Sequence, residues 1–569
     1  MARRILLFAL VVFFALLLGF GLPRQWLKPL FHYTGYYFML AAFVLWAALV
    51  LKISHSRFFS FIKSHYPALL LSFLLMILIF YMNPPKFKVL ADETNLIGVS
   101  MAMHHEKTAS LPLQGLALDY YDFDYDHTVD KRPLLFPFMA SVFHGLFGYR
   151  PGNGFVVNFI FGGLVLFLMY LLAAHAFSRF YGFLAILLTA AFPIFVFWGT
   201  SSGFEILNLF YVLFALLVLY WFIKTRHVDH AGLLFLTLVL LACCRYESIL
   251  FFIGLIVAVP YLLNRRIIYQ YRFPTYVFPL LLLPMIWQRR IAFYSAIVRK
   301  GAQYDQAGQV FGLSNVFEHF SDNIFVLSGL DPGFGFLPVV SVAAIAGGYL
   351  IAKRLLLAFK EMTAENRTLV SYGLITGGLL FLVYTAFYFG NFTRPVSNRL
   401  ALVFVPFLVI AALYLLRQLI REPAFYVKTM AIFLAGIHLV FYRPAAADQK
   451  IVDGLSLTYE YGRVVEYLHK NFDMRNENLL LISDLPNLYV IWPLGSVDFS
   501  YASRNQDKLA FYNKIYYDHI LVLQRYSPKT GKIKPDNTLD AACQLKPLKR
   551  LNISPAFYIR ISEAMFRSH

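Results

Sequence analysis

Apolar residues fill this chain in long runs, not at the three-to-four or alternating spacing of a half-buried helix or strand. The first run spans Ile5 to Leu22, and others follow at about 33–52, 67–82, 154–174, 180–198, 207–223, 231–244, 248–263, 274–287, 336–352, 368–389, 400–416 and 427–442. A bilayer core offers backbone amides no water, so runs of this kind are predicted to be helices that satisfy their own hydrogen bonds. About thirteen spans are expected, several of them short. Arg3 and Arg4 precede the first run and no small-x-small cleavage site follows it. That first helix is therefore expected to be retained, with its N-terminus in the cytoplasm.

Three stretches lie outside the runs. A long loop from Asn83 to Asn153 carries the only dense acidic cluster and an apolar stretch, Leu134 to Tyr149, suited to an interfacial helix. A second loop, from about Gln288 to Gly335, carries Arg289, Arg290, Arg299 and Lys300 and ends in GLDPGFGF. The C-terminal 125 or so residues alternate NLLLISD, LYVIWPL, ILVLQRY and FYIRISEAM with the turn-like DLPN and SPKTGKIKPDN, a pattern of strands in an α/β unit. The expected fold class is a mainly α polytopic membrane protein with a C-terminal α/β domain. Residues 1–442 would form the transmembrane domain, including the 83–153 loop, and residues 443–569 the domain outside the membrane.

Composition supports this reading, because 59% of the 569 residues are hydrophobic and only 14% are charged. Soluble domains are nearer a quarter charged. The net charge of +19 could suggest a nucleic-acid partner, but basic residues gather in alternate connections: Arg57 and Lys63, Arg179, Lys224 and Arg226, Arg265, Arg266 and Arg272, Lys353 to Arg367, and Arg417 to Lys428. This asymmetry is what the positive-inside rule requires, so the expected partner is the lipid bilayer and no nucleic acid. An odd number of spans then puts the C-terminal domain on the outer, periplasmic face of the inner membrane. Cys243, Cys244 and Cys543 offer neither a disulfide framework nor a metal-ligand spacing.

The third run is followed by VLADETNLIGVSMAMHHEKTA, which sets Asp92 and Glu93 where a hydrophobic helix gives way to a polar loop. At a dry interface a carboxylate can serve as general base toward a hydroxyl or amine. The alternative is a pair of acids that marks a helix boundary and faces water. Further on, LDYYDFDYDHTVDKRPLLFPF holds Asp119, Asp122, Asp124, Asp126, His127 and Asp130, hard ligands for Mg²⁺, Mn²⁺ or Ca²⁺. It lacks the glycine and closing glutamate of an EF-hand, and a solvated acidic stretch is the preferred reading of residues 119–126. Lys131 and Arg132 abut the apolar run that begins at Leu134, where they would either grip a lipid phosphate or snorkel.

Glu205, in WGTSSGFEILN, is an acid close to the hydrocarbon core with no cation in its own loop, which by default marks a functional site or a pair. Arg245 and Glu247 in CCRYES share that position and could pair with each other. In FGNFTRPVSNRLALVF, Arg394 and Arg399 present two guanidinium forks suited to a phosphate or pyrophosphate, and Asn391 opens a weak glycosylation sequon. His104 and His105 are adjacent and could not easily share a metal on a helix. A P-loop, a G-x-S-x-G elbow and a dinucleotide fingerprint are all missing from the sequence.

Taken in order, these motifs resemble the GT-C superfamily of integral-membrane glycosyltransferases, especially bacterial members related to protein O-mannosyltransferases and aminoarabinose transferases. The resemblance covers the first 440 or so residues, and the C-terminal domain is similar to that of many bacterial members. It implies that Asp92 leads the catalytic acidic pair with Glu93. Asp130-Lys131 followed by Pro133 looks like the acidic-Lys-x-Pro motif, whose lysine contacts the donor phosphate and whose acid supports the site or a metal. Glu205 stands for the acid of the second outer loop and Arg399 for the phosphate-binding arginine, with Lys131, Arg132 and Arg394 completing the cationic set. Thr94 and Asn95 replace an Arg or Tyr that often follows the acidic pair, Arg132 replaces a Pro, and Leu400 replaces a Tyr.

The implied activity is transfer of a sugar from a polyprenyl-phosphate donor, undecaprenyl phosphate in a bacterial envelope, to a lipid, glycan or protein acceptor, with inversion. A divalent metal, Mg²⁺ or Mn²⁺, is the one cofactor the resemblance admits. A flippase or transporter of lipid-linked sugars would place charges at mid-span and show two related halves, whereas the unusual charges here sit at the ends of runs. A polysaccharide polymerase or ligase is the remaining alternative.

Overall fold

The computed structural model describes residues 2–54, 58–89, 91–119, 122–262, 271–299, 311–330, 332–358, 362–420, 456–473, 477–492, 494–533, 539, 543–553 and 557–566. The run expected at 427–442 lies outside the described residues. Each of the other runs is helical, so the chain is a mainly helical polytopic membrane protein with a sheet that includes its C-terminal segment. Among the described residues, eight helices are long and apolar enough to cross a bilayer, or up to nine if a bent pair counts as one span. The run at 231–244 forms the shorter helix Val228–Ala242, and that at 248–263 a succession of short turns from Tyr246 to Leu262. The run at 274–287 divides between the helices Phe273–Leu281 and Leu283–Arg299.

Two compact units divide the chain, one made of Met1–Lys86, Lys131–Met139 and Phe155–Ile451, the other of Phe87–Asp130, Ala140–Gly154 and Val452–His569. In the first, the helices Asn153–Ala176 and Glu205–Thr225 are buried for most of their length. Ala2–Leu16 and Phe58–Met82 instead leave Leu6, Phe13, Phe59 and Ile77 exposed, as lipid-facing helices do. The bent pair is Arg179–Ala191 and Pro193–Gly199, which meet at 70°. Proline at 193 pushes the residue before it out of the helical region, and Phe192 accordingly has ψ 119°. Beyond the break, the amide of Ile194 donates to the carbonyl of Gly335 at 3.0 Å. Gly335 has φ +83°, and a Cβ there would lie 2.8 Å from the Ile194 nitrogen, so the Gly-rich GFGF turn is needed for this close approach.

The second unit is built on a seven-stranded sheet in the order β2-β1-β4-β3-β5-β7-β6. Its strands are β1 (Leu111–Asp119), β2 (Asp122–Thr128), β3 (Leu479–Ile482), β4 (Gly495–Val497), β5 (His519–Tyr526), β6 (Cys543–Asn552) and β7 (Tyr558–Phe566). The central β4, β3 and β5 are parallel, with Leu480, Ile482, Val497, Ile520 and Val522 in the core. The acidic stretch of the first long loop forms the β1–β2 hairpin and joins this sheet where Gly115 pairs with Ser496. Two segments far apart in sequence therefore share one core.

Candidate active site

In the second unit, the chain enters the Glu93–His105 helix through a tight turn in which the amides of Asp92 and Glu93 both donate to the Val89 carbonyl, at 3.2 and 2.9 Å. Ala91 takes φ +62°, a left-handed conformation costly for any residue with a Cβ and of the kind that clusters at functional sites. Glu93 is buried, and its carboxylate accepts from the amides of Lys88 at 3.2 Å and Val89 at 3.1 Å, clamping the turn. Asp92 is half-buried at the position just before the helix. Adjacent in sequence, the two acids thus occupy different environments. Lys88, which carries no motif in the sequence, is also buried, an unusual position for an ammonium.

In the first unit, the Ser201–Glu205 turn is held by Asn158, whose Nδ2 donates to the carbonyls of Ser201 at 2.8 Å and Gly203 at 2.9 Å. This sets Glu205 in the first turn of the Glu205–Thr225 helix, almost fully buried, with Arg399 Nη1 3.3 Å from its Oε1. A Cβ at Gly203 would collide with Glu205 Oε2, so the carboxylate folds back into room that only glycine leaves. Arg245 also pairs with Glu247 at 2.6 Å, and the Tyr384 hydroxyl donates to Glu247 Oε1 at 3.3 Å. Phe204 joins the two pairs: the Arg245 guanidinium lies 5.1 Å and that of Arg399 5.8 Å from its ring centroid. Two acids and two guanidiniums around one aromatic ring make a buried cluster with no net formal charge.

Lys131 is exposed and Arg132 half-buried, and their backbone is pinned. Tyr246 Oη donates to the Lys131 carbonyl at 2.8 Å and Gln288 Nε2 to that of Arg132 at 2.5 Å. Arg289 lies over the Tyr246 ring at 5.3 Å, while Arg290 caps the end of the first helical stretch by donating to the carbonyls of Gly19 and Leu22. Asp130 is buried. Arg394 packs at 5.7 Å over Phe389 in the loop before Arg399, and the Asn391 amide of the sequon is buried, donating to Asp322 at 2.8 Å.

The structure thus joins Glu205 to Arg399 and sets Arg245 and Glu247 beside them. Sequence reasoning missed Phe204 and Tyr384, because an aromatic residue in a chain this rich in them carries no signal until a guanidinium lies on its face. It also missed the histidine packing. His104, His144 and Tyr149 form an aromatic cluster in which His144 is fully buried between Ser100 Oγ at 3.0 Å and Asn153 Nδ2 at 2.9 Å. Burial pushes the His144 imidazole down to about 3, which keeps it neutral. Among the described residues, no three His, Cys, Asp or Glu side chains gather as a ligand set, so they form no ready site for Mg²⁺ or Mn²⁺.

Ion pairs buried at the ends of apolar helices are features that in membrane proteins mark functional sites by default. Residues 131–287, about a quarter of the chain, match the family model described as dolichyl-phosphate-mannose-protein mannosyltransferase. Over those residues the chain is similar to that family of membrane glycosyltransferases. Comparison with the curated proteins gives no match.

Among solved structures, ArnT from Cupriavidus metallidurans bound to undecaprenyl phosphate is 12% identical, with 88% of this chain and 98% of that one covered and a TM-score of 0.49. The apo oligosaccharyltransferase of Archaeoglobus fulgidus is 12% identical, with 84% of this chain and 75% of that one covered and a TM-score of 0.45. The arabinosyltransferase EmbB of Mycobacterium smegmatis is 11% identical, with 69% of this chain and 42% of that one covered and a TM-score of 0.31. At these identities and scores none of the three assigns a substrate or a residue role to this chain.

Proposed function

We propose that this protein moves a sugar from a polyprenyl-phosphate carrier, undecaprenyl phosphate in a bacterial envelope, to a lipid, glycan or protein acceptor on the outer face of the membrane. One observation carries the reading: the family match contains Lys131, Arg132 and Glu205, and Arg399, outside it, is ion-paired with Glu205. Asp92 takes the proton of the acceptor hydroxyl or amine. The freed electron pair attacks the anomeric carbon, the bond from that carbon to the phosphate oxygen breaks, and polyprenyl phosphate leaves with the electrons. Attack opposite the leaving group inverts the anomeric centre. Lys131, Arg132, Arg394 and Arg399 take up the charge that develops on the phosphate. Glu93 fixes the turn that presents Asp92, Glu205 orients Arg399, and Asp130 is a further supporting acid.

The lipid and glycan profile of cells lacking the gene, complemented by wild type or Asp92→Asn, tests this. The expected result is loss of one glycosylated product and accumulation of its polyprenyl-phosphate sugar, both restored by wild type alone. An unchanged set of products with a shifted distribution of carrier between the two leaflets would replace the transferase with a flippase.

A further inference from the structure

The C-terminal segment reaches the helix that follows Asp92. Asn95 stands at the third position of the Glu93–His105 helix, and its Oδ1 accepts from Asn487 Nδ2 at 3.0 Å. One turn on, Gly98 is pressed against the sheet and the same segment: a Cβ there would lie 2.9 Å from Leu111 Cδ1 and 3.8 Å from Ile491 Cγ2. A further turn on, Met101 packs in one cluster with Val490 and Tyr125. Residues 95, 98 and 101 are spaced by three and so form one stripe of the helix, and each meets the stretch from 487 to 491. Asp92 precedes Asn95 by the same interval and has helical φ and ψ of −87° and −60°, so it continues the stripe.

The 484–491 segment is itself held firmly. Arg525 donates from Nη1 to Asp484 at 2.8 Å, and from Nε and Nη2 to Glu460 at 3.0 and 2.7 Å. The Tyr489 amide donates to the Pro486 carbonyl at 2.9 Å, and Tyr149 Oη to the Ile491 carbonyl at 2.6 Å. A helix gripped along one stripe cannot turn about its axis, and its rotation decides where the residue just before its first turn presents its carboxylate.

We propose that Asn487 and Asn95 are positioning residues for the base: the C-terminal segment sets the rotation of the helix that follows Asp92. The inference rests on the reading of Asp92 as the base. It assigns the C-terminal segment a part in the transfer step through one specific contact.

The test is a double-mutant cycle in the full-length protein, with Asn95→Ala, Asn487→Ala and the pair. The donor is the polyprenyl-phosphate sugar extracted from cells lacking the gene, and the acceptor is supplied by membranes of those cells. Each single substitution is expected to lower kcat about tenfold with KM for the donor held within about twofold, because orientation and not donor binding is lost. The double variant is expected to lose no more than either single one, since both remove the same contact. Asn95→Asp, whose carboxylate still accepts from Asn487 Nδ2, is expected to keep most of the turnover.

Losses that multiply to about a hundredfold in the double variant, or turnover per folded molecule that matches wild type in both single variants, would overturn the inference. Asp92→Asn is run alongside. If it transfers at the wild-type rate, the assignment of Asp92 as base is what falls. If it is inactive while the cycle is additive, only the positioning role falls.

Discussion

Replacing Arg525 by methionine would remove the cation at the centre of the second unit while keeping an apolar side chain of similar reach. Arg525 is 15% exposed, and its two acids, Glu460 and Asp484, are 7% and 14% exposed, so neither carboxylate can turn fully to water when the guanidinium is gone. Three charge-assisted hydrogen bonds of 2.7 to 3.0 Å disappear with it. Removing one partner of a buried ion pair costs about 3–5 kcal/mol, most of it the penalty on the charges left behind. At about 1.4 kcal/mol per tenfold, amide protection in β3 and β5 should fall by at least about a hundredfold. Hydrogen exchange followed by mass spectrometry on peptides covering Leu479–Ile482 and His519–Tyr526 reads this directly. Adding Glu460→Gln and Asp484→Asn to the same chain should recover most of the loss, because neutral amides bear burial far better than unpaired carboxylates. Protection changed less than about threefold in Arg525→Met would refute the argument, since it would mean the ion cluster contributes under about 1 kcal/mol.

Gly203→Ala should displace the Glu205 carboxylate from its place beside Arg399 and lower transfer about tenfold or more, whereas Gly199→Ala, whose nearest neighbour would lie at 4.0 Å, should be tolerated. Steady-state rates of the two variants, each normalised to folded protein, decide this. His144 provides a pH test. Its folded pKa of about 3 lies below the ordinary value near 6.5, so the stability it contributes is complete above about pH 6.5 and is lost as the pH falls toward 3. Wild type should therefore lose melting temperature between pH 7 and pH 4.5 more steeply than His144→Gln, and equal slopes would contradict the assignment. Arg399→Gln should raise KM for the lipid-linked donor and lower kcat together, as loss of a phosphate contact requires, and a rate unaffected at every donor concentration would remove Arg399 from the donor site.

The spans were legible because a helix in lipid needs only its own residues: a long apolar run suffices, and neither Asn153–Ala176 nor Glu205–Thr225 depends on a distant partner to be recognised. The bend at Phe192 was legible in principle from Pro193, yet the run reads as one span because hydropathy is blind to backbone geometry. The acidic hairpin was hidden for another reason. Asp124 and Asp126 suggest a solvated loop, and only pairing with strands supplied by the C-terminal segment makes that loop a sheet edge.

Asp92 and Glu93 form a single motif in the sequence, and the backbone separates them: one carboxylate is tied to the amides of Lys88 and Val89, the other lies at a helix start. Arg245 and Glu247 carried two readings, a functional pair of charges or a pair with each other. Their 2.6 Å contact shows the second, and the Phe204 ring is shared by Arg245 and Arg399.

The pairing of Gly115 with Ser496 also sets a clock on biosynthesis. Some 380 residues separate these partners, and a ribosome adding about 5–20 residues per second needs roughly 20–80 s to cover that distance. Throughout that interval the β1–β2 hairpin has emerged while the strand that will cover the free edge of β1 has not been made. An uncovered strand edge is an invitation to pair with another chain. Asp124 and Asp126 lie on the other strand, β2, which remains the edge of the finished sheet, where charge opposes pairing with a like-charged copy.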